Sequence, residues 1–264
     1  VNHINANFAK HIVTIEDPVE YLHSDKLSIL TQRELGSDTE SFAEALKNVV
    51  RESPDVILIG EMRDLDTMKA AVNAALTGHL VISTVHTSSV VQCVERIINH
   101  FPEHLRAQAA ADMALAVEGI IAQRLVAGSE PDGKLYPAVE ILLGTPLARK
   151  TIADRKYSDL EDIMKRGAEE GMRTFASSLA DMCKAGRINV EEGALAATNR
   201  DEFMFLVQGM ESGTETFRID DDPDDSGKLL NMKMLLHSAI ANNASDLIIT
   251  AYSRPSLRIY GDLQ

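Results

Sequence analysis

Three short β-branched runs, each closing on polar or charged residues, constrain this chain more than any other feature: "HIVTIE" at 11–16, "DVILIG" at 55–60 and "HLVIST" at 79–84. Their hydrophobicity is continuous rather than alternating, the pattern of parallel strands buried on both faces. Helical segments separate them. "SDTESFAEALKNVVRES" sets Ser37 and Glu40 at capping-box spacing, then Phe42, Leu46, Val49 and Val50 along one face. "LDTMKAAVNAALTGH" is alanine-rich and stops at Gly78, as a helix ending in a left-handed cap does. Strand, helix, strand, helix, strand predicts a right-handed α/β sheet whose carboxyl ends collect the chemistry.

After His86 the texture becomes helical. "SSVVQCVERIINHF" carries Val91, Val94, Ile97 and Ile98, and "PEHLRAQAAADMALAVEGIIAQRL" reads as a further helix with Pro102 near its start. "PAVEILLG" (137–144) is a candidate strand, and everything from Thr145 to about Leu206 reads as short helices. Residues 211–228 hold seven acids, two glycines and a proline with almost no apolar anchor, the composition of a linker. Beyond it come an amphipathic helix, a strand "DLIIT", a turn at Pro255 and a second strand "SLRIYGD". The expected organisation is an α/β core over 1–144, a helical subdomain over 145–210, the acidic linker over 211–228 and the start of a small α+β unit over 229–264. Because the chain begins at Val1 and its last unit stops partway, we expect it to be a piece of a longer protein.

Composition narrows the function classes. A net charge of −14 and a pI near 5.0 argue against a nucleic-acid partner, which requires a basic face. Cys93 and Cys183 have neither disulfide-framework nor zinc-ligand spacing, which fits a reducing, cytoplasmic setting. No apolar run approaches the roughly 20 residues that span a bilayer.

The strand ends carry the candidate chemistry. "HIVTIEDPVEY" runs into Glu16, Asp17 and Glu20, with Pro18 stopping the strand. A carboxylate there can take a proton from water or hold a metal-bound water; equally, these acids could cap a turn or face solvent. "SPDVILIGEMRD" closes on Gly60 and Glu61, a strand plus acid of the kind that fixes Mg²⁺ or its water shell in phosphoryl-transfer sites. An ordinary buried strand with a capping acid would look similar. "TGHLVISTVHTSS" ends in Thr84, His86 and Thr87, which can hydrogen-bond a phosphate oxygen and report its loss; a satisfied structural histidine is the alternative, and His79 has a weaker claim.

In order and approximate spacing these stretches resemble the Asp box, Walker B box and His box of bacterial secretion ATPases. More closely, the chain resembles the type IV pilus retraction ATPases of the PilT/PilU family. "LTQRELGSDTESFAEALKNVVRESPDVILIGEMRD", "EILLGTPLARKTIADRK" and "MKRGAEEGMRTFASSLADMCKAGRI" carry the likeness, which covers roughly residues 10–200. "PDGK", "EILLGTPL" and "IMKR" lean toward the PilU branch. The resemblance implies a RecA-like hexameric motor that hydrolyses ATP with Mg²⁺ to retract pili in twitching motility. It would sit in the cytoplasm, peripheral at the inner membrane, with like or paralogous ATPase subunits and a membrane platform protein as partners. It implies that Glu16 polarises the attacking water, that Glu61 helps hold Mg²⁺ through water, and that His86 senses the nucleotide. Arg124 lies where the family presents polar residues toward nucleotide, and Asp17 and Thr84 are further candidates for nucleotide contact. The segment from Leu147 to Arg155 departs from the family's retraction-linked helix at several positions. The tail resembles the opening of the family's N-terminal PAS-like domain, here placed after the core.

One departure bears on the fuel. The phosphate-cradling Walker A pattern G-x-x-x-x-G-K-[ST] does not occur in the 264 residues, and "DDSGKLL" at 224–230 lacks its first glycine. Family order predicts that loop just upstream of Val1, with "VNHINANFAKHIVTIEDP" beginning in the end of its helix. Either a tandem fusion read from mid-core or a circular permutation accounts for the arrangement. Two functional readings follow: the hydrolytic half of an ATPase motor, or a catalytically inactive RecA-like module that co-assembles with an active paralogue.

Overall fold

The computed structural model describes residues 1–130 and 133–209 and, beyond them, the backbone of three short strands at 246–248, 256–259 and 262–263. The expected acidic linker and the amphipathic helix after it lie outside the described residues. A short helix α1 (Asn2–Asn7) leads into β1 (His11–Glu16), which pairs in parallel with β2 (Ile29–Glu34) on one side and β3 (Val56–Ile59) on the other. The sheet is completed by β4 (Leu80–Ser83), parallel to β3, giving the order β2–β1–β3–β4.

Position in that order decides burial. β1 has neighbours on both sides, and its Ile12, Val13 and Ile15 are wholly buried. β4 pairs only with β3 among the described residues, and Leu80 is 43% exposed. The expectation that all three apolar runs are buried on both faces therefore holds for β1 and β3 and fails for β4. β2 was not expected at all. "ILTQRE" has no apolar run; pairing along all of β1, from His11 with Ile29 to Glu16 with Glu34, makes it a strand.

Helix α2 (Phe42–Val49) begins later than the capping-box spacing predicts. Its cap is Ser41, whose hydroxyl accepts the Glu44 N–H at 3.1 Å, while Ser37 and Glu40 fall in the turn after Gly36. Helix α3 (Leu65–Leu76) is capped by Asp64, which accepts the Thr67 N–H at 2.8 Å. It ends as predicted at Gly78, whose φ of 100° lies in the left-handed region. Phe42, Ala45, Leu46 and Val49 of α2 join Ala71 and Ala74 of α3 and Val13, Ile15, Ile57 and Ile59 of the sheet in one apolar core.

Downstream come α4 (Val90–Asn99), α5 (Arg106–Ala116), β5 (Gly119–Ala127), β6 (Leu135–Leu143), α6 (Pro146–Ala153) and α7 (Leu160–Arg166). The long helix predicted from Pro102 through "GIIAQRL" stops at Ala116, and a strand follows. There the burial period switches to two, with Ala122 and Val126 inward and Ile121 and Leu125 outward. β5 pairs with β6, and β6 covers the strand expected at 137–144. Gly144 joins β6 to α6 where any side chain would collide: a Cβ there would lie 2.3 Å from the Val117 carbonyl oxygen.

By its internal contacts the chain divides into two compact units, Val1–Arg124 with Val139–Thr174, and Leu125–Ala138 with Phe175–Gln264. The second contains α8 (Phe175–Lys184), α9 (Val190–Ala196) and α10 (Arg200–Val207), packed around Phe203 and Leu179, both fully buried. Gly193 of α9 lets the Phe203 ring approach, since a Cβ would meet that ring at 2.5 Å. The three terminal strands, β7 (Asp246–Ile248), β8 (Ser256–Ile259) and β9 (Asp262–Leu263), form an antiparallel sheet.

The core assignment makes a graded prediction. Ile57→Ala removes a fully buried side chain from the central sheet and should cost about 2–5 kcal/mol. Leu80→Ala, at the half-exposed edge, should cost less than about 1 kcal/mol. Urea unfolding of both variants checks the order, and equal losses would contradict the edge position of β4.

Candidate active site

Parallel pairing brings the carboxyl ends of β1, β3 and β4 to one edge of the sheet. Gly60, just past β3, donates its N–H to the Ile15 carbonyl at 2.8 Å, so Glu61 follows directly alongside Glu16 and Asp17. On the other side Thr84, just past β4, donates its hydroxyl to the Gly60 carbonyl at 2.6 Å, and the Met62 N–H donates to the Thr84 carbonyl at 3.0 Å. Thr84 therefore spends its proton on locking two strand ends together.

Glu61 is the hub. Its side chain is 12% exposed; Oε1 pairs with the Arg63 guanidinium, and Oε2 lies 3.2 Å from His86 Nε2. Arg63 also faces Asp17 at 3.9 Å, linking the ends of β1 and β3. The hydrogen bond and charge of Arg63, helped by His86 and opposed by burial, hold the Glu61 carboxyl below the ordinary glutamate range. Arg63 and His86 themselves are largely exposed, with side-chain exposures of 65% and 81%, so each can move without disturbing the core.

Glu16 is oriented by its own strand and by β2. Thr14 donates its hydroxyl to Glu16 Oε1 at 2.6 Å, and Gln32 Nε2 donates to the same oxygen at 3.1 Å. Oε2 has no hydrogen-bond partner among the described residues. Glu34, beside Glu16 in register, accepts the Val19 N–H at 3.1 Å and so holds the turn after Pro18.

His86 opens onto a pocket of ≈ 530 Å³ that is also lined by Ser88, Gln92, Arg96 and Arg124. Arg124 of β5 donates from Nε and Nη2 to the Ser88 carbonyl at 3.3 and 3.0 Å, and Arg96 of α4 donates to the His86 carbonyl at 3.0 Å. The six residues singled out from sequence are thus arranged as a contact pair, Glu61 with His86, a carboxylate reached through Arg63, Asp17, a strand-end clasp, Thr84, and two flanking groups, Glu16 and Arg124. Arg63, Arg96 and Gln32 were missed. Arg63 stands in plain view two residues after Glu61, but only the fold brings its charge back onto that carboxylate.

The donor chemistry fits a hydrated Mg²⁺: oxygen ligands suit a hard cation, and Glu61 is held ionised. Among the described residues no three His, Cys, Asp or Glu side chains converge as a direct metal cage.

Lowering of the Glu61 value has a definite sign. Its ionised pairing contributes to stability above the unfolded glutamate value of 4.5 and is lost as pH falls through the lower folded value. Carbon-13 titration of Glu61 should therefore show a depressed midpoint that Arg63→Ala moves upward, and an unmoved midpoint would remove Arg63 from the hub.

The chain is similar to known proteins. The chain is 42% identical over 217 residues to the type IV pilus ATPase PilU of Pseudomonas aeruginosa, covering 81% of this chain and 56% of that protein. It is 37% identical over 202 residues to the type IV pilus retraction ATPase PilT of the same organism, covering 76% and 56%. The crystal structure of the pilus retraction motor PilT with bound ADP superposes with a TM-score of 0.70 at 38% identity, over 76% of this chain and 56% of that one. The chain thus spans about half the length of the curated relatives it matches. Its parallel sheet with flanking helices is a RecA-like α/β core. The family model for Type II/IV secretion system proteins matches residues 1–219, and the chain belongs to that family.

Proposed function

We propose that this chain supplies the water-activating and cation-side half of an ATP-hydrolysing site in a type IV pilus retraction motor. The observation that carries the reading is the meeting of Glu61 with His86 at 3.2 Å from adjacent strand ends, with Arg63 tying that pair to Asp17. A phosphate-side group, a cation-side carboxylate and a second carboxylate at the neighbouring strand end are among the groups that in-line attack of water on a γ-phosphate uses, beside the phosphate-binding loop.

In this reading Glu16 is the general base. Thr14 and Gln32 hold Oε1, so Oε2 faces the attacking water and takes its proton. Glu61 would hold Mg²⁺ through water, and the ion, when bound, would supply charge neutralisation at the phosphates. His86 senses the nucleotide by exchanging its contact with Glu61 for one with a phosphate oxygen. Arg124 lines the pocket onto which His86 opens, Asp17 faces Arg63 beside Glu61, and Thr84 serves by fixing the strand ends. The motor works as a hexamer of like or paralogous subunits, in the cytoplasm against an inner-membrane pilus platform. The similarity to PilU and PilT supports these assignments.

Two measurements test the proposal. A chimera in which residues 1–207 replace the matching segment of the pilus retraction motor PilT should hydrolyse ATP, and Glu16→Gln should lower its kcat by about 10²–10⁴-fold. A chimera that assembles without turnover would favour the alternative of a catalytically inactive interaction module. These 264 residues, which contain no glycine-rich phosphate loop, should bind Mg-ATP too weakly to detect at millimolar nucleotide. Micromolar affinity by isothermal titration would overturn that expectation.

A further inference from the structure

Glu140 sits at an inward-facing position of β6, between Ala138 and Leu142, and is only 6% exposed. A carboxylate there is retained only against compensating partners. Its Oε2 accepts the N–H of Val90, the first residue of α4, at 2.7 Å. Burial pushes the carboxyl upward and the Glu161 charge adds to this, while the Val90 bond and the Arg124 charge act the other way. The remaining cap of α4 is internal, with the Ser89 hydroxyl accepting the Gln92 N–H at 3.2 Å. The start of this helix is therefore closed by the chain itself and tied to β6.

What α4 holds in turn is the segment bearing His86. Arg96 donates to the His86 carbonyl at 3.0 Å, and Gln92 Oε1 accepts from the Ser88 N–H at 3.3 Å and the Ser88 hydroxyl at 2.6 Å. Arg124 grips the Ser88 carbonyl from β5. Two of these three grips move with α4, so the seat of its first turn sets where His86 stands relative to Glu61.

We propose that Glu140 is a positioning residue for His86: it anchors the first turn of α4 to β6 and, through Gln92 and Arg96, fixes the segment that presents His86 to Glu61. Its importance for catalysis rests on the nucleotide-sensing role proposed for His86, but the positioning itself does not. This gives a reason for a lone carboxylate in the apolar run "AVEILL".

The test uses the chain as it stands, labelled uniformly with nitrogen-15 and observed by NMR at pH 7 without nucleotide. In the parent, Glu61→Gln should shift the His86 ring signals by altering their direct contact. Glu140→Met fills similar space without an acceptor and relieves a buried carboxylate, so it should fold; in that background the response of His86 to Glu61→Gln should be lost and Val90 amide exchange should rise at least tenfold. Glu140→Gln keeps an acceptor oxygen and should restore both. Retention of the His86 response in Glu140→Met, or its loss in Glu140→Gln, would overturn the proposal. Since no nucleotide enters the measurement, failure of the chimera to hydrolyse ATP would be a separate result.

Discussion

The candidate site depends on the parallel pairing of β1 with β3. With Ile15 opposite Ile59 and the Gly60 N–H on the Ile15 carbonyl, two strands from distant parts of the sequence end at the same level. Acids that follow those ends must then share an edge of the sheet. A slip of one residue would turn each side chain to the opposite face and separate the carboxylates. The fully buried Ile12, Val13, Ile15, Ile57 and Ile59 hold the register, because they are packed on both faces of the sheet and a slip would break that close packing.

Such convergence has an electrostatic cost. Glu16, Asp17, Glu34 and Glu61 crowd the ends of three neighbouring strands in a chain of net charge −14. Relief comes from several sources. Arg63 compensates Glu61 and Asp17; Thr14 and Gln32 donate to Glu16, and a backbone N–H donates to Glu34. Arg63 and His86 are largely exposed, whereas Glu61 is nearly covered, so solvent reaches the partners more readily than the carboxylate.

The three strand runs and their terminal acids were legible because burial on both faces of a parallel sheet leaves an unbroken β-branched signal. Gly78 was legible as a helix stop because a positive φ selects glycine. β2 was not, since "ILTQRE" owes its conformation to hydrogen bonds with β1 rather than to any pattern of its own. The switch from α5 to β5 was obscured by "VEGIIAQRL", whose residues suit either state until pairing with β6 chooses. Arg63, Gln32 and Glu140 escaped notice for one reason: each acts on a residue that only folding brings near.

By itself the sequence determined which groups are available, Glu16, Asp17, Glu61, Thr84 and His86 at strand ends, because strand runs and the residues that stop them are local properties. Tertiary structure decided what those groups do to one another. It placed Arg63 and His86 on opposite oxygens of Glu61, turned the Thr84 hydroxyl onto a backbone carbonyl, and set Glu140 under the first turn of α4. Charge and hydrogen-bond energies depend on separations of a few ångströms, and those separations are set by register and packing between segments far apart in the chain.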